Sequence, residues 1–214
     1  MNVSLSFFTN QLVLTSVDVK YLATKRHFSE LFERYSYPLY CINLTKEKVV
    51  RELVLSDQYE HVVNEVLNRE LPSNMRIKYI HYDMKVRKKE PSFPQSIQEL
   101  VKPFIKRTGI FTCTRKKMSD SMSQIEIQRG VLRTNCIDSL DRTNEGQMYI
   151  GLYALTQQLR SLGIILRTSE VTKDSPLGIR YLNELFMRHG DRIAKQYGGS
   201  KAHHTALGKK KNFF

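Results

Sequence analysis

Hydrophobic positions along the chain recur with the spacing of alternating helices and strands. Lys25 to Tyr35 carries Phe28, Leu31 and Phe32 on one helical face. Tyr37-Pro38 breaks that helix, and Leu39 to Leu44 (LYCINL) then predicts a buried strand. Thr45 has the chemistry of an N-cap, so a long helix is predicted from there to about Arg69. Leu53, Val54, Val62, Val63, Val66 and Leu67 form its apolar stripe, the pattern of a core-facing side. Leu71 to Asn74 is a turn, and Arg76 to Met84 alternates polar and apolar residues as a strand does.

The second half continues the alternation. Ser96 to Lys106 predicts a helix kinked or shortened by Pro103, and Ile110 to Cys113 a short strand. Arg115 to Gln124 is a polar connection. Gly130-Val131-Leu132 is short and apolar, as a buried strand is, and a helix follows from Thr143 to Leu162. Its stripe is Met148, Leu152, Leu155 and Leu159. Arg167 to Asp174 is polar. A helix from Pro176 or Leu177 to Arg188 is expected to end near Gly190, with a further helical segment from Asp191 to Tyr197. Leu12-Val13-Leu14 has the composition of a strand within an otherwise mixed segment, residues 1–22. The pattern is α/β: one domain with a central sheet flanked by helices, residues 23–200, then a basic tail, residues 201–214.

Composition adds charge to this picture. The 214 residues carry 34 Lys and Arg against 21 Asp and Glu, a net charge of +13. That balance suits a polyanionic partner: nucleic acid, an anionic membrane face or a phosphorylated ligand. No recognised nucleic-acid motif accompanies it, which argues against nucleic acid. Lys85 to Lys89 and Lys209-Lys210-Lys211 concentrate the charge, and such runs are ordinarily solvated surface. Cys41, Cys113 and Cys136 are too few and too scattered for a disulfide framework or a metal site, which suits a reducing compartment. His203 and His204 lack a carboxylate or cysteine at ligand spacing, so no metal and no cofactor is implied. No apolar run of about 18 residues occurs and the N-terminus lacks the pattern of a signal peptide, so any membrane contact is expected to be peripheral.

The chemistry gathers between the short strand and the helix after it, at Arg133 to Asn144 (RTNCIDSLDRTN). Cys136 stands at the end of a strand, with Arg142 six residues on, in a loop that opens onto a helix at Thr143. The unpaired N–H groups and dipole of a helix N-terminus favour an anion, and they lower the pKa of a cysteine placed there. A loop of this length can curl its backbone N–H groups around one phosphate while the Arg142 fork grips two of its oxygens. Cys136 is then the nucleophile, and Asp138 or Asp141 the acid that protonates the leaving oxygen. Asn135, Ile137, Ser139, Leu140, Thr143 and Asn144 border the phosphate as substrate-binding candidates. Thr143 can also hydrogen-bond the thiolate or cap the helix. The nucleotide-binding loop G-x-x-x-x-G-K-[ST] is absent.

Arg133 to Asn144 resembles the signature of the Sac-domain phosphoinositide phosphatases, R-x-N-C-x-D-C-L-D-R-T-N. Ser139 departs from it, standing where that family usually has a second cysteine. The resemblance extends from about Ala23 to His203, through His27-Phe28, Tyr37-Pro38, Asn43-Leu44, Leu71 to Met84, Lys106 to Phe111, Leu159 to Gly163, His189-Gly190-Asp191 and Gln196 to Ser200. It implies a Cys-x5-Arg phosphatase-like catalytic subdomain, the catalytic half of a Sac domain, with nothing corresponding to the family's β-rich N-terminal subdomain. The flanking blocks are most similar to the polyphosphoinositide phosphatase branch. That branch removes the 5-phosphate from phosphatidylinositol 3,5-bisphosphate, on endosomal and vacuolar membranes, in a complex with a lipid kinase and a scaffold. Two other readings stay open: a weak or inactive phosphoinositide-binding scaffold remnant, and a cysteine phosphatase acting on phosphoproteins or soluble inositol phosphates.

Overall fold

The computed structural model describes residues 2–5, 12–16, 19–114, 124–166, 176–200 and 202. Three parallel strands form its centre. Strand β3 (Leu39–Asn43) lies between β4 (Lys78–His81) and β7 (Val131–Asn135), giving the order β4-β3-β7. Every residue of β3 is buried, as the middle strand of a parallel sheet covered on both faces must be. Its side chains alternate between two cores. Leu39 and Cys41 pack with Phe28, Val62, Val63, Leu67 and Ile77 on one side. Ile42 and Leu44 pack with Met84, Phe93, Ile97, Val101 and Ile105 on the other. Each large side chain so buried contributes about 1.5–3 kcal/mol.

Helix α1 (Leu22–Tyr35) and helix α2 (Val50–His61) cover the first face. α2 runs on through a π-helical segment, Val62–Leu67, into the short α3 (Asn68–Glu70). Helix α5 (Phe93–Thr108) and helix α6 (Asp141–Ser161) cover the second face, and α6 also packs on α7 (Pro176–Gly198). The short α4 (Met84–Arg87) follows β4. Two antiparallel pairs complete the described residues: β1 (Asn2–Leu5) with β2 (Leu12–Ser16), and β5 (Thr112–Thr114) with β6 (Gln124–Glu126). The small parallel sheet flanked by helices is the α/β arrangement expected, and residues 1–22 contain a strand pair.

Three expectations need correction. Thr45 is no helix cap: it is 1% exposed, and its hydroxyl bonds Ser56 Oγ and His81 Nε2 while α2 begins at Val50. The apolar stripe of that helix is also re-phased. Glu52 and Ser56 face inward in α2, Val62, Val63 and Leu67 do so in the π segment, and Val54 is exposed. A π turn holds more residues than an α turn, so it rotates everything beyond it relative to a simple helical count. Finally, α7 continues through Gly190. A side chain there would meet the Asn144 amide at 2.9 Å, so this glycine serves close helix packing and not a helix end. The polar connections 115–123 and 167–175 lie outside the described residues, as does the tail except for Ala202.

Candidate functional site

β3 leaves the sheet toward α2 and β4, whereas β7, on its other side, leaves toward α6. Such a reversal opens a crevice at the carboxyl ends of the two strands, the usual binding place in open α/β sheets. Asn43 and Asn135 face each other there in register, and Asn135 Nδ2 donates to Asn43 Oδ1 at 2.8 Å. Leu44 N–H donates to Asn135 O at 2.7 Å, carrying the pairing one step past the strands. Cys136 follows directly and is 6% exposed.

The turn after Cys136 passes through Ser139 in the left-handed region, at φ 54°, and enters α6 at Asp141. Asp138 organises it: its Oδ1 accepts the Cys136 thiol at 3.1 Å and Leu140 N–H at 3.1 Å. Burial, first, and then this carboxylate raise the thiol pKa, against the opposing pull of the Thr143 hydroxyl and the Arg142 charge. The lowered pKa expected from sequence is therefore not found in this conformation, where desolvation and a like-charged neighbour outweigh the cation. The other cysteines are set apart. Cys41 is fully buried in the core, its thiol pushed up to about 11 mainly by burial, and Cys113 is exposed on β5.

Arg142 projects from the first turn of α6 and is held by groups from β3 and α2. Its Nη1 donates to Leu44 O at 3.1 Å and to Glu52 Oε2 at 2.7 Å. Glu52 is 1% exposed and also accepts Lys46 N–H at 2.8 Å. Burial pushes this carboxyl up, but the Arg142 and Lys46 hydrogen bonds and charges prevail and hold it below the usual carboxylate range. In turn, Arg142 is kept charged by that partner against its own desolvation. Glu52 was invisible as a site residue in the sequence. Its one signal is a carboxylate on the inward face of a helix, and the re-phased stripe conceals it.

The remaining candidates divide. Asn135 and Ser139 line the same cleft as Cys136, and Thr143 is buried beneath the thiol. Ile137 and Leu140 belong to the turn, half-buried, and Asp141 is exposed at the helix start. Asn144 is engaged elsewhere: its Nδ2 donates to Phe186 O at 2.8 Å, and its Oδ1 lies 2.8 Å from His189 Nδ1, tying α6 to α7. The cleft holds about 300 Å³ between α1, α2 and the strand ends, with Tyr21, Thr24, Thr45, Tyr59 and Arg133 among its walls. Among the described residues no cluster of His, Cys, Asp or Glu could hold a metal ion, and no helix is long and apolar enough to cross a membrane.

The buried cysteine after β7 and the arginine in the first turn of α6 stand in the strand-loop-helix order that residues 133–144 predict. Residues 2–89 match the model of the SacI homology domain. The chain is 40% identical over 186 residues to a polyphosphoinositide phosphatase of Schizosaccharomyces pombe, covering 86% of this chain and 21% of that protein. At 86% of the chain, the aligned stretch necessarily includes residues 133–144. Two Arabidopsis thaliana phosphoinositide phosphatases are also similar: SAC3, 30% identical over 94% of this chain and 31% of the relative, and SAC5, 32% over 90% and 29%. The chain thus spans between a fifth and a third of the length of these relatives.

Proposed function

We propose that this chain is a phosphoinositide phosphatase of the Cys-x5-Arg type, working through a phosphocysteine. The observation that carries the reading is the placement of Cys136 at the switch-point crevice, one turn before Arg142, with an aspartate on its thiol. The relatives named as phosphoinositide phosphatases support the substrate class, and phosphatidylinositol 3,5-bisphosphate is the substrate we favour. Cys136 as thiolate attacks phosphorus. The P–O bond to the inositol ring breaks, and the departing oxygen takes its proton from Asp138 or Asp141. Water then attacks the phosphocysteine, the P–S bond breaks, and the thiolate and inorganic phosphate are released. Arg142 and the backbone N–H groups of residues 137–142 hold the phosphoryl oxygens throughout.

The lipid surface has support from the same end of the molecule. Lys48, Arg51, Lys85, Arg87, Lys88 and Lys89 are exposed where β3 and β4 end, alongside Val50, 75% exposed, and Val86, 45% exposed. Asp83 fastens the two basic segments together, accepting Glu47 N–H at 2.9 Å and Val86 N–H at 3.0 Å. This suits peripheral contact with an anionic membrane through the face that bears Cys136.

The test is inorganic phosphate release from liposomes carrying each phosphoinositide, wild type beside Cys136→Ser, with no metal added. Release by the wild type alone is expected. Equal release by both overturns the nucleophile. Lipid retention without release, by folded wild type, favours the scaffold reading, which the raised thiol pKa and the engagement of Arg142 by Glu52 also suit.

A further inference from the structure

Among the described residues, Arg133 is the one charged side chain lining the cleft beside Cys136, and neither phosphate binding at Cys136 nor proton transfer there calls on it. It lies on β7 with Asn135, on the face toward α1 and α2, three residues before the cysteine. Its partners are all uncharged. Nε donates to His27 Nε2 at 3.2 Å, and Nη1 donates to Tyr59 Oη at 2.8 Å and Asn135 Oδ1 at 3.1 Å. Burial and then the Arg133 charge hold the His27 imidazole below its ordinary pKa, so it accepts that hydrogen bond as the neutral ring. Among the described residues no carboxylate pairs with Arg133, and its Nη2 has no hydrogen-bond partner.

A half-buried guanidinium without a counter-ion is costly, and hydroxyls and amides compensate it only in part. Its contrast with Arg142 is informative. Arg142 is neutralised by Glu52 and its field acts on the Cys136 sulfur. The field of Arg133 falls instead on His27, Cys41 and Tyr59, of which Tyr59 lines the cleft. Cys136 and Arg133 both line the cleft, so the two guanidiniums act on two different groups of one site. An anion at Arg133 would find a planar fork with a free nitrogen, and hydroxyls of Thr24, Ser56 and Ser139 in the surrounding walls.

We propose that Arg133 forms a second phosphate subsite, so that the cleft selects a headgroup bearing one phosphate at Cys136 and another at Arg133. The proposal rests on the phosphatase reading and adds to it the residue that distinguishes bisphosphate from monophosphate. The shared chemistry is a pair of phosphate monoesters on one ring, carried by a lipid or by a free inositol phosphate. Arg133 acts here in binding and takes no part in the bond changes at phosphorus.

The experiment compares wild type, Arg133→Gln and Arg133→Lys on short-chain, water-soluble phosphatidylinositols with one or two ring phosphates. The free inositol bisphosphate is added as a competitor, to separate the lipid from the soluble source. The wild type is expected to favour the bisphosphate in kcat/KM. Arg133→Gln is expected to lose about tenfold of that preference or more, mainly through KM, with Arg133→Lys intermediate because it keeps the charge without the fork. A fall by one common factor on both substrates, or an unchanged ratio, overturns the subsite and leaves Arg133 a purely structural link between β7, α1 and α2. If the wild type releases no phosphate, calorimetric binding of the same two lipids to folded wild type and Arg133→Gln decides the subsite independently of the phosphatase reading. There, tighter binding of the bisphosphate by wild type alone supports it, and equal binding by both proteins overturns it.

Discussion

At the scale of the residue, the thiol of Cys136 is governed by burial and by three neighbours with opposed effects. Asp138 takes the thiol proton into a hydrogen bond and adds a negative charge beside the sulfur, so it favours the protonated form. Arg142 and Thr143 favour the thiolate. Asp138→Asn removes the negative charge while keeping a carbonyl oxygen in place. The thiol should then titrate at lower pH, and alkylation of Cys136 at neutral pH should be faster than in wild type. Because an elevated thiol pKa leaves thiolate scarce at neutral pH, wild-type reactivity should climb as pH rises toward that pKa, and the Asn variant should reach its plateau earlier. Asp141→Asn, altering an exposed carboxylate with no hydrogen bond to the sulfur, should leave the curve in place. An identical pH profile for Asp138→Asn and wild type would show that the carboxylate does not control the thiol. Phosphate release by the same pair identifies which aspartate is the acid.

At the scale of the element, the pairing of β3 with β7 assembles the site, and Gly130 permits that pairing. Its φ is +83°, and a Cβ there would lie 2.0 Å from Pro38 O. Its N–H donates to Tyr35 O at 2.5 Å, and the next residue, Val131, donates to Pro38 O at 3.0 Å as the ladder begins. Gly130→Ala should therefore cost more than about 2 kcal/mol, read from the urea unfolding midpoint. It should also lower phosphate release, because the same register sets Asn43 opposite Asn135. Full stability in that variant would mean the strand start can move aside. The long helix after β3 teaches a related point. Val62, Val63 and Leu67 were legible as core from their spacing, whereas Glu52 and Ser56 were not, because the π segment changes the phase between the two halves. α7 was likewise read as two pieces, since the sequence shows Gly190 but not the Asn144 amide packed against it.

At the scale of the whole molecule, charge is arranged about the cleft. Lys48, Lys85 and Lys89 are exposed and form no ion pair among the described residues, and they flank the sheet's carboxyl end. Changing all three to Gln should weaken binding to anionic vesicles by about 1 kcal/mol per charge. Wild-type binding should fall as salt rises, since exposed charges are screened. Neutral vesicles serve as the control. An equal loss on neutral and anionic vesicles would mean the lysines act through something other than the surface potential. Asp83, fixed between the two basic segments, gives this face its shape. In the fold its side chain caps α4.

The sequence by itself determined what is local. The Cys136 to Arg142 spacing, the strand before it and the helix after it lie within one contiguous stretch, and short-range backbone preferences and hydrophobic period suffice to place them. Only the tertiary structure decided which distant groups meet that stretch. The parallel register of β3 with β7 brings Leu44 and Asn43 to the cysteine, the packing of α2 brings Glu52 to Arg142, and α1 with α2 brings His27 and Tyr59 to Arg133. The physical reason is that an apolar pattern fixes which face of an element is buried, whereas partner and register are set by the whole core and by hydrogen bonds between segments far apart in the chain.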